Sequence, residues 1–145
     1  MRFFSAVFLC LLAGCAPHKT RNANLEEPET EALIRQYVAA FNAHDIAAML
    51  ALATDDISWV RVTGDRVSVA TTGKEALEKA MSTYFENTPS ARSEIEALMT
   101  AGVLVTVRER AHWTGKNGPK SQMALAVYQV KEGKINRVWY YPAEP

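Results

Sequence analysis

Three stretches decide the fold class: Val103-Leu104-Val105-Thr106-Val107-Arg108-Glu109-Arg110-Ala111-His112-Trp113, Gln122-Met123-Ala124-Leu125-Ala126-Val127-Tyr128-Gln129-Val130 and Lys134-Ile135-Asn136-Arg137-Val138-Trp139-Tyr140-Tyr141. Each is rich in β-branched and aromatic residues, the composition that suits a pleated, half-buried surface. Thr114 to Pro119 and Glu132-Gly133 are the turns between them. Connections that short leave no room for a crossover, so the three strands must be antiparallel neighbours. Ser93 to Met99, before the Ala101-Gly102 turn, adds another strand to this meander.

Upstream the period changes from two to about 3.6. Leu33, Ile34, Tyr37, Val38 and Phe41 make one helical stripe, with Glu29 and Glu31 in the first turn, where carboxylates favour the helix dipole. Asn42-Ala43-His44 interrupts it, and His44 reads as a solvated turn residue. Asp45 is placed to cap a short second helix that turns Ile46, Met49, Leu50 and Ala53 inward. A third helix begins near Thr72-Gly73 and carries Leu77, Ala80, Met81, Tyr84 and Phe85 on one face, with Pro89 as its stop. Ile57 to Val62 and Val67 to Val69, divided by Thr63-Gly64-Asp65, form a strand pair between helices two and three. The order predicts an α+β domain: three helices in the N-terminal half, packed on one face of a curved, mostly antiparallel sheet of about six strands.

The extreme N-terminus has a different character. Arg2 precedes the apolar run Phe3 to Leu12, which is far shorter than the roughly 20 residues of a membrane-spanning helix. Small residues Ala13 and Gly14 then lead to Cys15. That order resembles a lipobox, which implies a signal peptide over residues 1–14 and lipidation of Cys15. More than one acyl chain anchors firmly where a single chain does not. Ala16, rather than an aspartate, follows the cysteine, and by that resemblance the expected address is the outer membrane, facing the periplasm. Residues 15–28 are polar, with prolines near both ends, and read as the acylated cysteine and a tether that includes His18. Residues 29–145 then make up the domain.

Composition excludes several functions. The chain has 16 Lys plus Arg and 16 Asp plus Glu, so removal of Arg2 with the signal leaves a side-chain charge near −1. Such a balance offers no basic field for nucleic acid. Of the 2 cysteines, Cys10 leaves with the signal and Cys15 is acylated. No thiol is then left for a disulfide, a nucleophile or a metal site. His112 has no second histidine or cysteine in reach by sequence, so neither a metal nor another cofactor is expected.

Gln36-Tyr37-Val38-Ala39-Ala40-Phe41-Asn42-Ala43-His44-Asp45, with Asp55-Asp56 and Gly73-Lys74-Glu75-Ala76-Leu77, resembles the start of the nuclear-transport-factor-2-like superfamily. The closing hairpin Tyr128 to Trp139 is similar too. That superfamily contains the SnoaL-like proteins and ketosteroid isomerase. The resemblance implies a cone in which the sheet wraps the helices around a pocket, and pairing of copies through the outer sheet face. Tyr37 falls on the isomerase's tyrosine donor, but its base position falls on Arg61 and its protonated-acid position near Ala126. Arginine is not a base at neutral pH and alanine donates nothing, so steroid isomerisation by that mechanism is not expected.

In the family's register the pocket draws on two helices and four strands. Tyr37, Phe41 and Met81 come from the helices, and Trp59 and Arg61 from the first strand. Val107, Glu109, Ala111 and Trp113 come from one strand of the meander, Ala126 and Tyr128 from the next, and Val138 and Tyr140 from the last. Alternation then sends Arg108, Arg110 and His112 outward. Arg61 and Glu109 have two readings: a paired site that orients a ligand, with Glu109 on the guanidinium or acting as a base, or two solvated rim residues. Tyr37 is either pocket lining or plain core, and it joins Glu109 and Arg61 as a candidate catalytic group. Trp139, Tyr141 and His112 suit a homodimer surface. Three functions stay open: binding of a small apolar molecule in the cone, a small-molecule isomerase, cyclase or dehydratase, and a dimerising interaction module of the cell envelope.

Overall fold

The structure is a computed structural model and describes residues 27–143. Cys15, the signal segment, His18 and most of the tether lie outside the described residues. Helix α1 (Glu27–Asn42) buries Thr30, Leu33, Ile34, Tyr37, Val38 and Ala40, which is the spacing of one helical face. Its start precedes the expected domain boundary, taking in Glu27 and Pro28. Proline is tolerated in a first turn because the N–H it lacks has no helical partner there.

Helix α2 (Ile46–Ala51) follows directly, and Asp45 caps it by accepting the Ala48 N–H at 2.9 Å. His44 between the helices has a positive φ of 55°. It is not the solvated turn residue its context suggests. Its ring stacks on Phe85 at 4.1 Å, and its Nε2 lies 2.9 Å from an Arg92 guanidinium nitrogen. The elbow is therefore fixed by residues distant in sequence.

Strands β1 (Ala53–Thr63) and β2 (Arg66–Thr72) form a hairpin, and helix α3 (Lys74–Asn87) crosses back. The meander β3 (Arg92–Ala101), β4 (Leu104–Gly115), β5 (Gly118–Lys131) and β6 (Lys134–Pro142) completes the chain. The β4–β5 turn is only Lys116-Asn117, so the expected six-residue loop is mostly ladder. Thr114 pairs with Pro119 and Gly115 with Gly118. Gly and Pro in that stretch suggest a break, but the continuing strand partner overrides local preference. Between β5 and β6, Glu132 and Gly133 both have positive φ, the geometry of a tight hairpin that matches strand twist.

The six strands run in the order β2-β1-β6-β5-β4-β3. Only β1 and β6 are parallel; every other neighbouring pair is antiparallel. Irregular register at Trp59/Val60 and Ile95/Ala97 bends the outer strands. The curved sheet and three helices enclose a core that includes Ile34, Tyr37, Met49, Leu77, Val107, Ala126 and Val138. This is the expected α+β cone.

Candidate functional site

One end of the cone does not close. Leu77 and Met81 on α3, Tyr37 and Phe41 on α1, and residues of all six strands surround a cavity of about 540 Å³. Such a volume is in the range of small-molecule sites. The strands contribute Trp59 and Arg61 from β1, Ala70 and Thr71 from β2, Ser93 from β3, Glu109, Ala111 and Trp113 from β4, Tyr128 from β5 and Tyr140 from β6. Because side chains alternate across a strand, Glu109, Ala111 and Trp113 share the inner face that Arg108, Arg110 and His112 leave.

Aromatic rings dominate this wall. Tyr37 and Tyr128 meet edge to face at 6.2 Å, and Trp59 and Tyr140 lie 6.1 Å apart on adjacent strands. Phe41 and Tyr84 are 6.0 Å apart where α1 faces α3. These contacts hold the rings in place without filling the space between them.

Glu109 is the single carboxylate of the lining, and only 6% of it is exposed. Its Oε2 accepts a hydrogen bond from Ser93 Oγ at 2.7 Å across the β3–β4 ladder. Ser93 is itself held by α1: Asn42 accepts its N–H at 2.7 Å and donates to its carbonyl at 2.8 Å. Burial raises the Glu109 carboxyl above the ordinary carboxylate range, and the Ser93 donor offsets this only in part. The nearby acid adds to burial in raising Tyr37, Tyr84 and Tyr128, and Tyr140 is pushed up to about 12. All four phenols therefore stay protonated at neutral pH and can donate. The Tyr37 hydroxyl is buried with no hydrogen-bond partner, a costly state that an incoming acceptor would relieve.

Arg61 lines the cavity but is exposed, at its rim. No ion pair or hydrogen bond joins it to Glu109, contrary to the paired reading. The sheet order explains why. β6 and β5 stand between β1 and β4, so the two residues are three strands apart in the sheet. Val107, Ala126 and Val138 also depart from the expected lining. They face inward as the register requires but are fully buried in the packed core, off the cavity wall. Tyr37, Phe41, Trp59, Met81, Ala111, Trp113, Tyr128 and Tyr140 do line the cavity, with Arg61 and Glu109.

Sequence reasoning passed over Ser93, Thr88, Thr71, Gln122 and Tyr84, which also line it. Tyr84 was accessible, since it follows Met81 by one helical turn on the same face. Ser93 carried no local signal. Its role depends on a partner 16 residues away.

On the outer face, Glu96 bridges Arg108 at 3.0 Å and Arg110 at 2.5 Å, and Glu94 lies 3.4 Å from His112. No group of three or more His, Cys, Asp or Glu suited to a metal occurs among the described residues. No helix among them is long and apolar enough to cross a membrane.

Comparison with known proteins agrees with this architecture. No curated protein matches the chain by sequence. A protein of unknown function with a cystatin-like fold from Methylobium petroleophilum superposes with a TM-score of 0.71 at 19% identity, covering 84% of this chain and 80% of that one. An NTF2-like protein of unknown function from Burkholderia pseudomallei gives 0.67 at 15%, covering 79% and 91%. TerC, co-crystallised with polyporic acid, gives 0.67 at 16%, covering 79% and 92%. At these identities the likeness is one of fold. The SnoaL-like domain family, however, matches by sequence over residues 34–138, which takes in most of the chain and nearly the whole cone. The chain belongs to the SnoaL-like domain family, with the NTF2-like cone as its fold.

Proposed function

We propose that this protein is a lipid-anchored component of the bacterial envelope whose cone binds a small, largely apolar, ring-bearing molecule. The observation that carries the binding reading is the aromatic cavity of about 540 Å³ with one buried carboxylate inside it. A fold relative co-crystallised with polyporic acid supports a ring-bearing ligand. The address rests on the order of charge, apolar run, small residues and Cys15. On that reading the cone stands on a short tether, on the outer membrane and facing the periplasm, and its ligand is one met at a membrane surface.

Native mass spectrometry of the full chain purified from membranes tests the binding reading. A copurified small molecule is expected, and Ala111→Phe, which fills the cavity, should release it. An empty cone that also takes up no ring compound from a broad panel would overturn the reading. The anchor is tested separately by metabolic labelling with an alkynyl fatty acid, which Cys15→Ser should abolish.

A second reading is turnover of the bound molecule, favoured by the raised Glu109 carboxyl in an enclosed site, the usual setting of an acid–base group. It predicts an isomerase, cyclase or dehydratase activity lost in Glu109→Gln. The exposed apolar residues Leu125 and Tyr141 on the outer sheet face support pairing of two copies there.

A further inference from the structure

Among the described residues, the acid in the cavity has no counter-ion. Glu109 is 94% withdrawn from solvent by the 6% that stays exposed, and its protein partner is a neutral hydroxyl on one oxygen. The second oxygen, Oε1, has no protein partner and is not sealed off. The cation of the lining, Arg61, sits at the rim on a strand three positions away. A buried carboxylate left this way is unfavourable, and the structure offers it only the Ser93 donor.

What would complement it is set by its surroundings. The rings of Tyr37, Tyr84, Tyr128, Tyr140, Trp59 and Trp113 bound the same space. Aromatic faces carry negative quadrupole density and attract organic cations, most strongly where water is excluded. An anion would meet both the acid and those faces, and is disfavoured twice. A neutral ring compound gains the apolar burial but leaves the acid without its counter-charge. A ring-bearing ammonium gains both. Arg61 then acts by like charge, holding the ammonium away from the mouth and toward Glu109.

We infer that the cone selects a primary ammonium attached to an aromatic ring system, with the nitrogen on Glu109 and the rings against the tyrosines and tryptophans. This deepens the binding reading and rests on it. The volume accommodates a bicyclic amine with room to spare.

Three probes with one indole ring and different charge separate the possibilities: tryptamine, tryptophol and indole-3-acetate. Calorimetric titration of the full chain at neutral pH should find tryptamine bound at least about tenfold more tightly than tryptophol, and indole-3-acetate weakest. Glu109→Gln keeps the shape, and should bring tryptamine to the level of tryptophol while leaving tryptophol binding in place. Tryptophol or indole-3-acetate binding as tightly as tryptamine would overturn the inference and leave the cone as a ligand site. No binding of any of the three would overturn the inference, and the broad ring-compound panel then decides the binding reading. Should Glu109→Gln not fold, as a melting curve will show, the three-probe ranking in the unaltered chain decides the matter.

Discussion

Glu96 and Glu109 lie on neighbouring strands and on opposite faces of one sheet, and they live in opposite electrostatic worlds. Glu96 sits outside between Arg108 and Arg110, which hold its carboxyl below the usual range. Glu109 lies between the same two arginines in sequence, yet receives nothing from them. The pleat turns Arg108 and Arg110 outward and Glu109 inward, where burial raises it. A run of Arg-Glu-Arg that looks locally neutral is thus divided into an outer ion-pair network and a lone inner acid. The cost of that division falls on the inside, where Glu109 lines the cavity.

The largest effect should come from extending the inner charge into packed core. Val107→Asp puts a carboxylate where no cavity relieves it, and should cost more than about 3 kcal/mol in urea unfolding, as uncompensated buried charges do. Arg108→Asp, one residue on, should cost about 1 kcal/mol or less, because it lies on the outer face. Equal losses would break the division of the two faces.

Next in size is Glu109→Gln. The folded state holds the Glu109 proton more tightly than the unfolded chain, whose carboxyl keeps the ordinary value of 4.5. Stability therefore falls as pH rises from about 4.5 through the raised folded value, and the loss persists at neutral pH. Glu109→Gln should remove that loss and stabilise the empty protein by about 1–3 kcal/mol at pH 8, with little change near pH 4. Denaturant midpoints at the two pH values check this, and destabilisation at pH 8 would mean that Glu109 is compensated.

Tyr37→Phe deletes a buried hydroxyl that has no partner and keeps the ring against Tyr128. Thermal melts should show a change within about 1 kcal/mol, neutral or stabilising, since no hydrogen bond is lost. A clear destabilisation would show that the hydroxyl is satisfied in solution. The smallest effect belongs to Glu96→Gln. Its carboxyl is lowered, so its contribution is present above the ordinary value and lost as pH falls below it. The variant should be slightly less stable than the parent at neutral pH in low salt, and the gap should close in 1 M salt.

Much of this was legible in the chain because period carries it. The stripe from Leu33 to Phe41 and the alternation from Val105 to Trp113 each set a face, and with the family register they put Glu109 inside. What stayed hidden depends on partners distant in sequence. The contact of Ser93 with Glu109 crosses a ladder, and that of His44 with Phe85 and Arg92 joins an elbow to a helix end and a strand start. Pairing Arg61 with Glu109 failed because facing inward is a local property, whereas distance across a sheet depends on strand order. The placement of β6 beside β1 is a fact of topology that no spacing within either strand announces.

In this reading Glu109 is an uncompensated acid, open to a ligand's charge. Carbon NMR of glutamate-labelled full chain reads it directly, by following the Glu109 and Glu96 carboxyl shifts against pH with and without tryptamine. Glu109 should titrate above the ordinary range in the free protein and drop on saturation, while Glu96 should titrate below it in both. A Glu109 carboxyl that titrates at or below the ordinary value in the free protein, or ignores the amine, would mean that the acid is already compensated within the protein.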